Sequence, residues 1–255
     1  MTKKLIKANY PKLYKYYSPD KVKYLHDILF KSELYFSSPS QLNDPSEGKL
    51  KFADMSEDDL KEFFYNYHIE NNKSLTDKER LIIKNKIDLV MKQFGKEALL
   101  RKCHETLTGR LDKNKITSFS KRWDNMALWA KYADNHKGFC LEFKNDGIFS
   151  LACEVDYEET TINFCNTDKI GIDFFFQKKP EWTGEEEVRI VLPIQIQSPY
   201  KFEPALLCKI ILGEKMDIKD RENIFELVAK RTVPIVVEEA RYSTYDKKLI
   251  LNRLN

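Results

Sequence analysis

The stretch Gly184–Leu192, with the sequence GEEEVRIVL, is the part of the chain that most directly indicates its architecture. Apolar and charged residues alternate in it, which is typical of a β-strand that buries one face. The apolar residues of one parity are predicted to face the core, and they are Val188, Ile190 and Leu192. On the other face Glu185, Glu187 and Arg189 are expected to project together, with the acids about 7 Å apart.

Two interpretations of this charged face are open. The structural one is a solvated strand edge whose charges compensate one another, and surface ion pairs of that kind are common and weak. The functional one is a pair of carboxylates held in a cleft. On this motif alone we favour the structural interpretation.

The rest of the chain alternates short strands with helices. Strands are predicted at 13–17, 34–36, 116–120, 138–143, 152–157, 185–196, 206–212 and 233–240. Helices are predicted from 19 to about 31 and at 56–70, 76–109, 125–134 and 220–231. This pattern predicts one α+β domain over residues 1–255. The charged, glycine-poor region 50–112 is interpreted as a helical insertion with a structural role.

Composition excludes several classes of protein. The 255 residues carry 43 Lys and Arg against 40 Asp and Glu, so the chain is not a polyelectrolyte. An apolar fraction of 42% excludes general disorder. No apolar run approaches the roughly 20 residues that a membrane span needs. The cysteines are odd in number and widely spaced, which predicts reduced thiols and no metal site. We therefore expect a soluble, cytoplasmic protein.

A second group of candidate site residues lies around the strand at 116–120. Ser118 and Ser120 share one face of it, and the following helix carries aromatic rings, so together they could line a pocket. Neighbouring candidates are Asn125, Trp129 and Tyr132. In the first strand, Tyr14 and Tyr16 share a face while Lys15 points the opposite way. Taken singly, Trp129 is interpreted as a core residue and Asn125 as a helix cap.

These motifs, taken together, resemble a bacterial domain-of-unknown-function family, number 2971. The motifs that carry the resemblance are Tyr14-Lys15-Tyr16, Leu34–Pro39 with Asn43-Asp44-Pro45, Ser118-Phe119-Ser120, Trp129-Ala130-x-Tyr132 with His136-x-Gly138-Phe139, and Trp182 with Glu185-x-Glu187-x-Arg189. The resemblance covers nearly the full chain. It implies no activity.

A looser resemblance is to the ADP-ribosyltransferase superfamily. It rests on the order of an aromatic strand with a capped helix, a serine-bearing strand and a Glu-x-Glu strand. It implies a split mixed sheet with a helical insertion, Glu187 as the catalytic acid and Glu185 as its companion toward the acceptor. Ser118 and Ser120 would support the site. Lys15 or Tyr14 would take a first-strand position that holds His or Arg in the superfamily.

This second resemblance implies an enzyme that consumes NAD. A carboxylate beside the ribose would stabilise the oxocarbenium ion that forms when nicotinamide leaves, an effect worth about 3–4 kcal/mol. Tyr14 or Tyr16 would stack on nicotinamide, and Lys15, Arg122 or Arg189 would meet the diphosphate. Asn125, Trp129 and Tyr132 complete the predicted NAD contacts, and no metal is needed.

The implied acceptor of ADP-ribose is a nucleic acid, a protein or water. The implied setting is a toxin or antiphage effector, for which a partner or antitoxin protein is an open expectation.

Two alternatives to this enzyme remain at this point. One is a non-catalytic binding or regulatory domain. The other is a metal-dependent nuclease that arranges Asp44, Glu185, Glu187 and a lysine around Mg²⁺.

Overall fold

The fold is mixed α+β, as the sequence predicts. The computed structural model describes residues 5–43, 56–70, 72, 74–158 and 172–254. The strands in these ranges are β1 (Lys12–Tyr17), β2 (Glu33–Leu34), β3 (Lys115–Ser120), β4 (Phe139–Lys144), β5 (Cys153–Glu154), β6 (Glu187–Leu192), β7 (Tyr200–Lys201), β8 (Leu207–Gly213), β9 (Val236–Ser243) and β10 (Lys248–Arg253). The α-helices are α1 (Val22–His26), α2 (Glu57–Glu70), α3 (Asp77–Leu111), α4 (Met126–Lys131) and α5 (Ile218–Ala229).

A large mixed sheet forms the centre of the fold. It has eight strands in the order β10-β9-β8-β4-β1-β3-β6-β5, and β2 pairs with β7 in a separate two-stranded sheet. All neighbours in the large sheet are antiparallel except β8 and β9, which are parallel and are joined through α5. The strand β10 was not predicted, because Leu249, Ile250 and Leu251 are consecutive apolar residues and break the alternation of a half-buried strand.

The sheet separates at its middle, between β1 and β3. Strand β1 pairs with β4 over its whole length, and β3 does the same with β6. Between β1 and β3, by contrast, the pairing is Tyr14 with Ser120 and nothing beyond. An uninterrupted ladder would next place Tyr16 opposite Ser118. Instead, the carbonyl oxygen of Ser118 accepts a hydrogen bond of 2.9 Å from Nζ of Lys15.

The two faces of the sheet are covered differently. On one face Leu13, Phe119 and Val188 belong to the main apolar cluster, which α1 and α5 cover. On the other face α4 packs over Cys140, whereas α3 packs over the end of the sheet that carries Ile116. The second face carries polar side chains in the area between α4 and α3.

Helices α2 and α3 pack against the sheet through a continuous apolar cluster. The prediction of a helix starting after Thr76 is confirmed, and its hydroxyl accepts from the N–H of Glu79 as a capping box requires. The apolar stripe predicted for this helix is only partly right. Ile87 and Met91 are buried, but Val90 is 40% and Phe94 is 60% exposed. The helix kinks directly after Phe94, and its buried residues continue at intervals of four from Leu99 to Leu111.

No helix in the described part of the chain combines the length and the apolar character that crossing a bilayer requires.

Candidate functional site

A cavity of about 740 Å³ opens where β1 and β3 separate. Residues far apart in the sequence meet in it, and the predicted ones among its lining are Tyr14, Lys15, Tyr16, Ser118, Ser120, Tyr132, Glu185, Glu187 and Arg189. Tyr14, Ser118 and Glu187, to which the superfamily resemblance gives roles in one site, therefore line the same cavity. The chemical roles assigned to these residues stay predictions.

Glu185 does not lie on the strand as predicted. It ends a 3₁₀ helix, Pro180–Glu185, and the next residue, Glu186, is left-handed with φ 46°. Strand β6 begins only at Glu187, so strand parity does not bring the carboxylates of Glu185 and Glu187 together. The turn does so, because it folds the 3₁₀ helix back over the first residue of the strand.

Lys178 joins the two carboxylates and was missed by the sequence analysis. Its Nζ lies 2.7 Å from Oε2 of Glu185 and 2.8 Å from Oε2 of Glu187, and its side chain is 5% exposed. Burial acts to lower the pKa of Lys178, but the charges and hydrogen bonds of the two carboxylates raise it overall. Lys178 is therefore a cation shared by two acids. No local spacing in the sequence indicates this contact.

Arg189 completes the buried cluster. Its Nε and Nη2 donate to the two oxygens of Glu187 at 2.5 and 3.0 Å, and its Nη1 donates to the carbonyl oxygen of Phe175 at 2.8 Å. Arg189 is 1% exposed and Glu187 is 4% exposed. Strand β6 lies between β3 and β5. The structural interpretation of this motif as a solvated strand edge is therefore wrong, because the charges are inside the protein.

Glu185 has further partners on the side of α4. Its Oε1 accepts from Oη of Tyr132 at 2.8 Å and lies 3.0 Å from Nζ of Lys131. That Nζ also lies 3.4 Å from the ring centroid of Trp182, a cation–π contact. Burial acts to raise the pKa of Glu185, but Lys178, Tyr132 and Lys131 lower it overall.

Glu187 responds to its surroundings in the opposite way. Complete burial raises the pKa of its carboxyl, while Lys178 and the hydroxyl of Ser118 oppose that shift. The serine pair predicted on β3 thus has two different contacts. The hydroxyl of Ser118 acts on Glu187, where it opposes the rise in pKa, whereas the Oγ of Ser120 donates to the carbonyl oxygen of Glu185 at 3.3 Å.

Lys15 is a cation of the cavity wall that forms no ion pair with the residues described by the structure. Its Nζ donates to the carbonyl oxygen of Ser118. Burial lowers the pKa of Lys15 to about 8, with Glu187 acting in the opposite direction. The side chains of Tyr14 and Tyr16 pack on the opposite face, against the cluster beneath α4. This arrangement confirms the predicted parity.

Two predicted NAD contacts need correction, because Asn125 and Trp129 do not line the cavity. Trp129 is fully buried and donates from Nε1 to the carbonyl oxygen of Trp123 at 2.7 Å. Asn125 caps α4, where its Oδ1 accepts from two backbone N–H groups. Its Nδ2 donates to the carbonyl oxygen of Gly184 at 2.8 Å, which fastens the turn before Glu185. Asn125 thus holds the turn that carries Glu185, and Trp129 belongs to the core beneath α4.

The arrangement does not suit a metal ion. Within the described ranges, no group of three or more His, Cys, Asp and Glu residues could hold one. Asp44, which the nuclease alternative requires, lies outside the described residues. The oxygens of Glu185 and Glu187 already face three cations, Lys131, Lys178 and Arg189. The cluster is therefore better suited to an anion than to Mg²⁺.

Comparison with known proteins gives no relative. No family model matches the sequence, no curated protein matches it, and no solved structure matches the fold. Both resemblances drawn from the motifs therefore stay predictions.

Proposed function

We propose that this chain is an NAD-consuming enzyme with an ADP-ribosyltransferase-like split sheet, which cleaves the bond between nicotinamide and ribose. One observation carries the proposal. A Glu-x-Glu pair, two serines and an aromatic first strand, separated by up to 173 positions in the sequence, line a single cavity at the gap between β1 and β3. The volume of the cavity lies within the range of sites that hold molecules of this size.

The proposed chemistry uses the two carboxylates differently. When the bond breaks, its electron pair leaves with nicotinamide, and C1′ of the ribose gains oxocarbenium character. Glu187 accepts a hydrogen bond from the 2′-hydroxyl and stabilises that charge. Glu185, beside Tyr132, accepts the proton that the attacking group loses. That group belongs to a nucleic acid, a protein or water.

Lys178 sets a condition on this mechanism. In the described structure its Nζ and Arg189 occupy the oxygens of Glu187. The ribose needs one of these positions, so Lys178 has to leave Oε2 of Glu187 when the substrate enters. Lys178 keeps its ion pair with Glu185, which limits the free energy that the movement requires.

The test measures release of free nicotinamide from NAD, and incorporation of labelled ADP-ribose into nucleic acid and protein. We expect Glu187→Gln to reduce turnover at least a hundredfold. The matched control is Glu239→Gln, because Glu239 is also a buried glutamate between two cations, Arg221 and Arg241, and lies on β9 away from the cavity. Equal turnover in the two variants, or none in the wild type, would reject the enzyme.

The second candidate is a binding or regulatory domain that holds an anionic ligand without cleaving it. The observation that favours it is that cations contact both carboxylates, while Lys15 forms no ion pair with any described residue. This candidate predicts that ADP-ribose binds in calorimetry while NAD remains intact over hours of incubation.

The biological setting is proposed from the superfamily resemblance. We place the protein among toxin or antiphage effectors that act in the cytoplasm, with a partner or antitoxin protein that restrains it. Expression in bacteria should then arrest growth and deplete NAD. Glu187→Gln should relieve both effects, while Glu239→Gln should relieve neither.

A further inference from the structure

The hydroxyl of Thr117 is a buried polar group that has no hydrogen-bond partner in the described part of the chain. Thr117 is 3% exposed and lies on the wall of the cavity, and its Oγ1 makes no hydrogen bond to any described residue. Leaving a buried hydroxyl unsatisfied costs free energy, so native proteins keep few such groups. A hydroxyl of this kind on a cavity wall indicates a ligand that supplies the missing partner.

Lys15 approaches the same region from the neighbouring strand. Strand alternation places Lys15 with Leu13 and Thr117 with Phe119, and these two apolar residues share one core cluster. The Nζ of Lys15 lies 5.3 Å from the ring centroid of Phe119. Its hydrogen bond to Ser118 uses one of the three N–H groups of an ammonium. The others remain for a ligand.

The charges around Lys15 do not neutralise it. The other charged residues on the cavity wall are Lys21, Asp27, Glu33, Lys178, Glu185, Glu187 and Arg189. Lys21 pairs with Asp20, and Asp27 pairs with Lys31. Lys178 and Arg189 are held by the buried glutamates. Glu187 attracts Lys15 from a distance, but among the described residues no carboxylate forms an ion pair with it, so an anion that enters the gap meets an ammonium that is open to pairing.

We propose that Lys15 and Thr117 form an oxyanion subsite that binds a phosphate group of a nucleotide, across the sheet from the Glu185–Lys178–Glu187 cluster. A phosphate oxygen accepts from Nζ of Lys15, and another accepts from Oγ1 of Thr117. The tyrosine rings of the cavity, including Tyr14 and Tyr24, suit a ligand that also carries a flat base. The subsite does not depend on bond cleavage and serves a binding domain equally well.

The test is calorimetry on the full chain with AMP, ADP-ribose and sodium pyrophosphate, and with adenosine as the neutral reference. We expect AMP to bind at least tenfold more tightly than adenosine. Thr117→Val removes the hydroxyl at nearly constant volume and should weaken AMP binding about tenfold, while Thr117→Ser should retain it. Lys15→Met should weaken AMP binding by tenfold or more. None of these changes should alter adenosine binding.

Stability provides an independent readout. Thr117→Val removes an unsatisfied buried hydroxyl, so the ligand-free variant should melt at a higher temperature than the wild type while binding AMP more weakly. The matched control is Thr108→Val, because Oγ1 of Thr108 is also buried and also has no partner among the described residues, but Thr108 lies on α3, outside the cavity lining. It should leave AMP affinity unchanged.

Two results would overturn the subsite: wild-type affinity for AMP in Thr117→Val, or failure of all three phosphate compounds to bind the wild type. Loss of NAD cleavage alone would not do so. AMP binding that depends on Thr117 and occurs without nicotinamide release would reject the proposed enzyme and retain the subsite.

Discussion

Replacing Lys178 by Met tests whether the carboxylate cluster is held by this single shared cation. Because the nearest oxygens of Glu185 and Glu187 both lie within 2.8 Å of Nζ, they are within about 5.6 Å of each other. At that separation two unit charges repel by about 3 kcal/mol at an effective dielectric constant of about 20. Removing one partner from a buried ion pair costs about 3–5 kcal/mol in general. We therefore expect Lys178→Met to lose about 3–5 kcal/mol of unfolding free energy at pH 7.5.

The pH dependence of this loss distinguishes charge from packing. Without Lys178, Glu187 loses the largest effect that opposes the burial that raises its pKa, and Glu185 loses the main contact that lowers its pKa. Both folded-state values then move upward, so protonation relieves the repulsion at low pH. The destabilisation should be small near pH 4 and should grow as the pH rises, because the folded carboxyls must then ionise.

The assay is urea unfolding at pH 5 and pH 7.5, with Lys131→Met as the control. The side chain of Lys131 is 41% exposed, and it pairs with the same Glu185. An exposed pair of this kind contributes about 1 kcal/mol or less. A loss under about 1 kcal/mol in Lys178→Met, or the same loss at both pH values, would refute the reasoning that this lysine holds the cluster.

Two further predictions concern the loop after α4. Burial lowers the pKa of His136, so the unfolded chain takes up its proton first as the pH falls below about 6.5, and stability should decrease. His136→Gln should remove that part of the slope in urea unfolding, and an unchanged slope would contradict the assignment. A Cβ at Gly138 would lie 1.9 Å from the carbonyl oxygen of Tyr17, so Gly138→Ala should cost about 3 kcal/mol or more. A Cβ at Gly184 meets nothing within 4 Å, and a similar melting temperature for both variants would count against the close approach.

The sequence predicted most of the elements because their signals are local. Periodicity and caps located α2, α3 and the strands on either side of α4, and the capping box at Thr76 formed as expected. The alternation after Glu187 correctly identified β6. These signals depend on neighbouring residues, and long-range packing did not overrule them.

The errors arise where one residue changes the local geometry. The left-handed conformation of Glu186 delayed the start of the predicted strand to Glu187 and left Glu185 at the end of a 3₁₀ helix. The two acids nevertheless met, through Lys178, for a reason that parity could not supply. Trp129 was assigned to the ligand because its helix follows the serine-bearing strand and its aromatic rings could line a pocket, yet the ring of Trp129 lies edge-on to Tyr16 inside the core.

The position of the cavity was beyond prediction because it depends on a missing contact. The register of β1 against β3 stops after Tyr14 and Ser120, and no local pattern records a pairing that does not form. In hindsight, Lys15 is the residue that could have indicated it. A lysine among the apolar positions of a central strand costs free energy unless its ammonium finds an acceptor or a ligand.

The gap between β1 and β3 and the buried charge of Lys15 therefore depend on each other. An intact sheet would have no space for Lys15 and no way for a ligand to reach both faces. The gap in turn leaves backbone groups of β1 and β3 without their ladder partners, and Lys15 satisfies one of them at Ser118. A ligand in the gap would contact Lys15 and Thr117 on one face and the Glu185–Lys178–Glu187 cluster on the other. Such a ligand needs an anionic group and a hydroxyl-bearing group several ångströms apart, a combination that a nucleotide's phosphate and ribose provide.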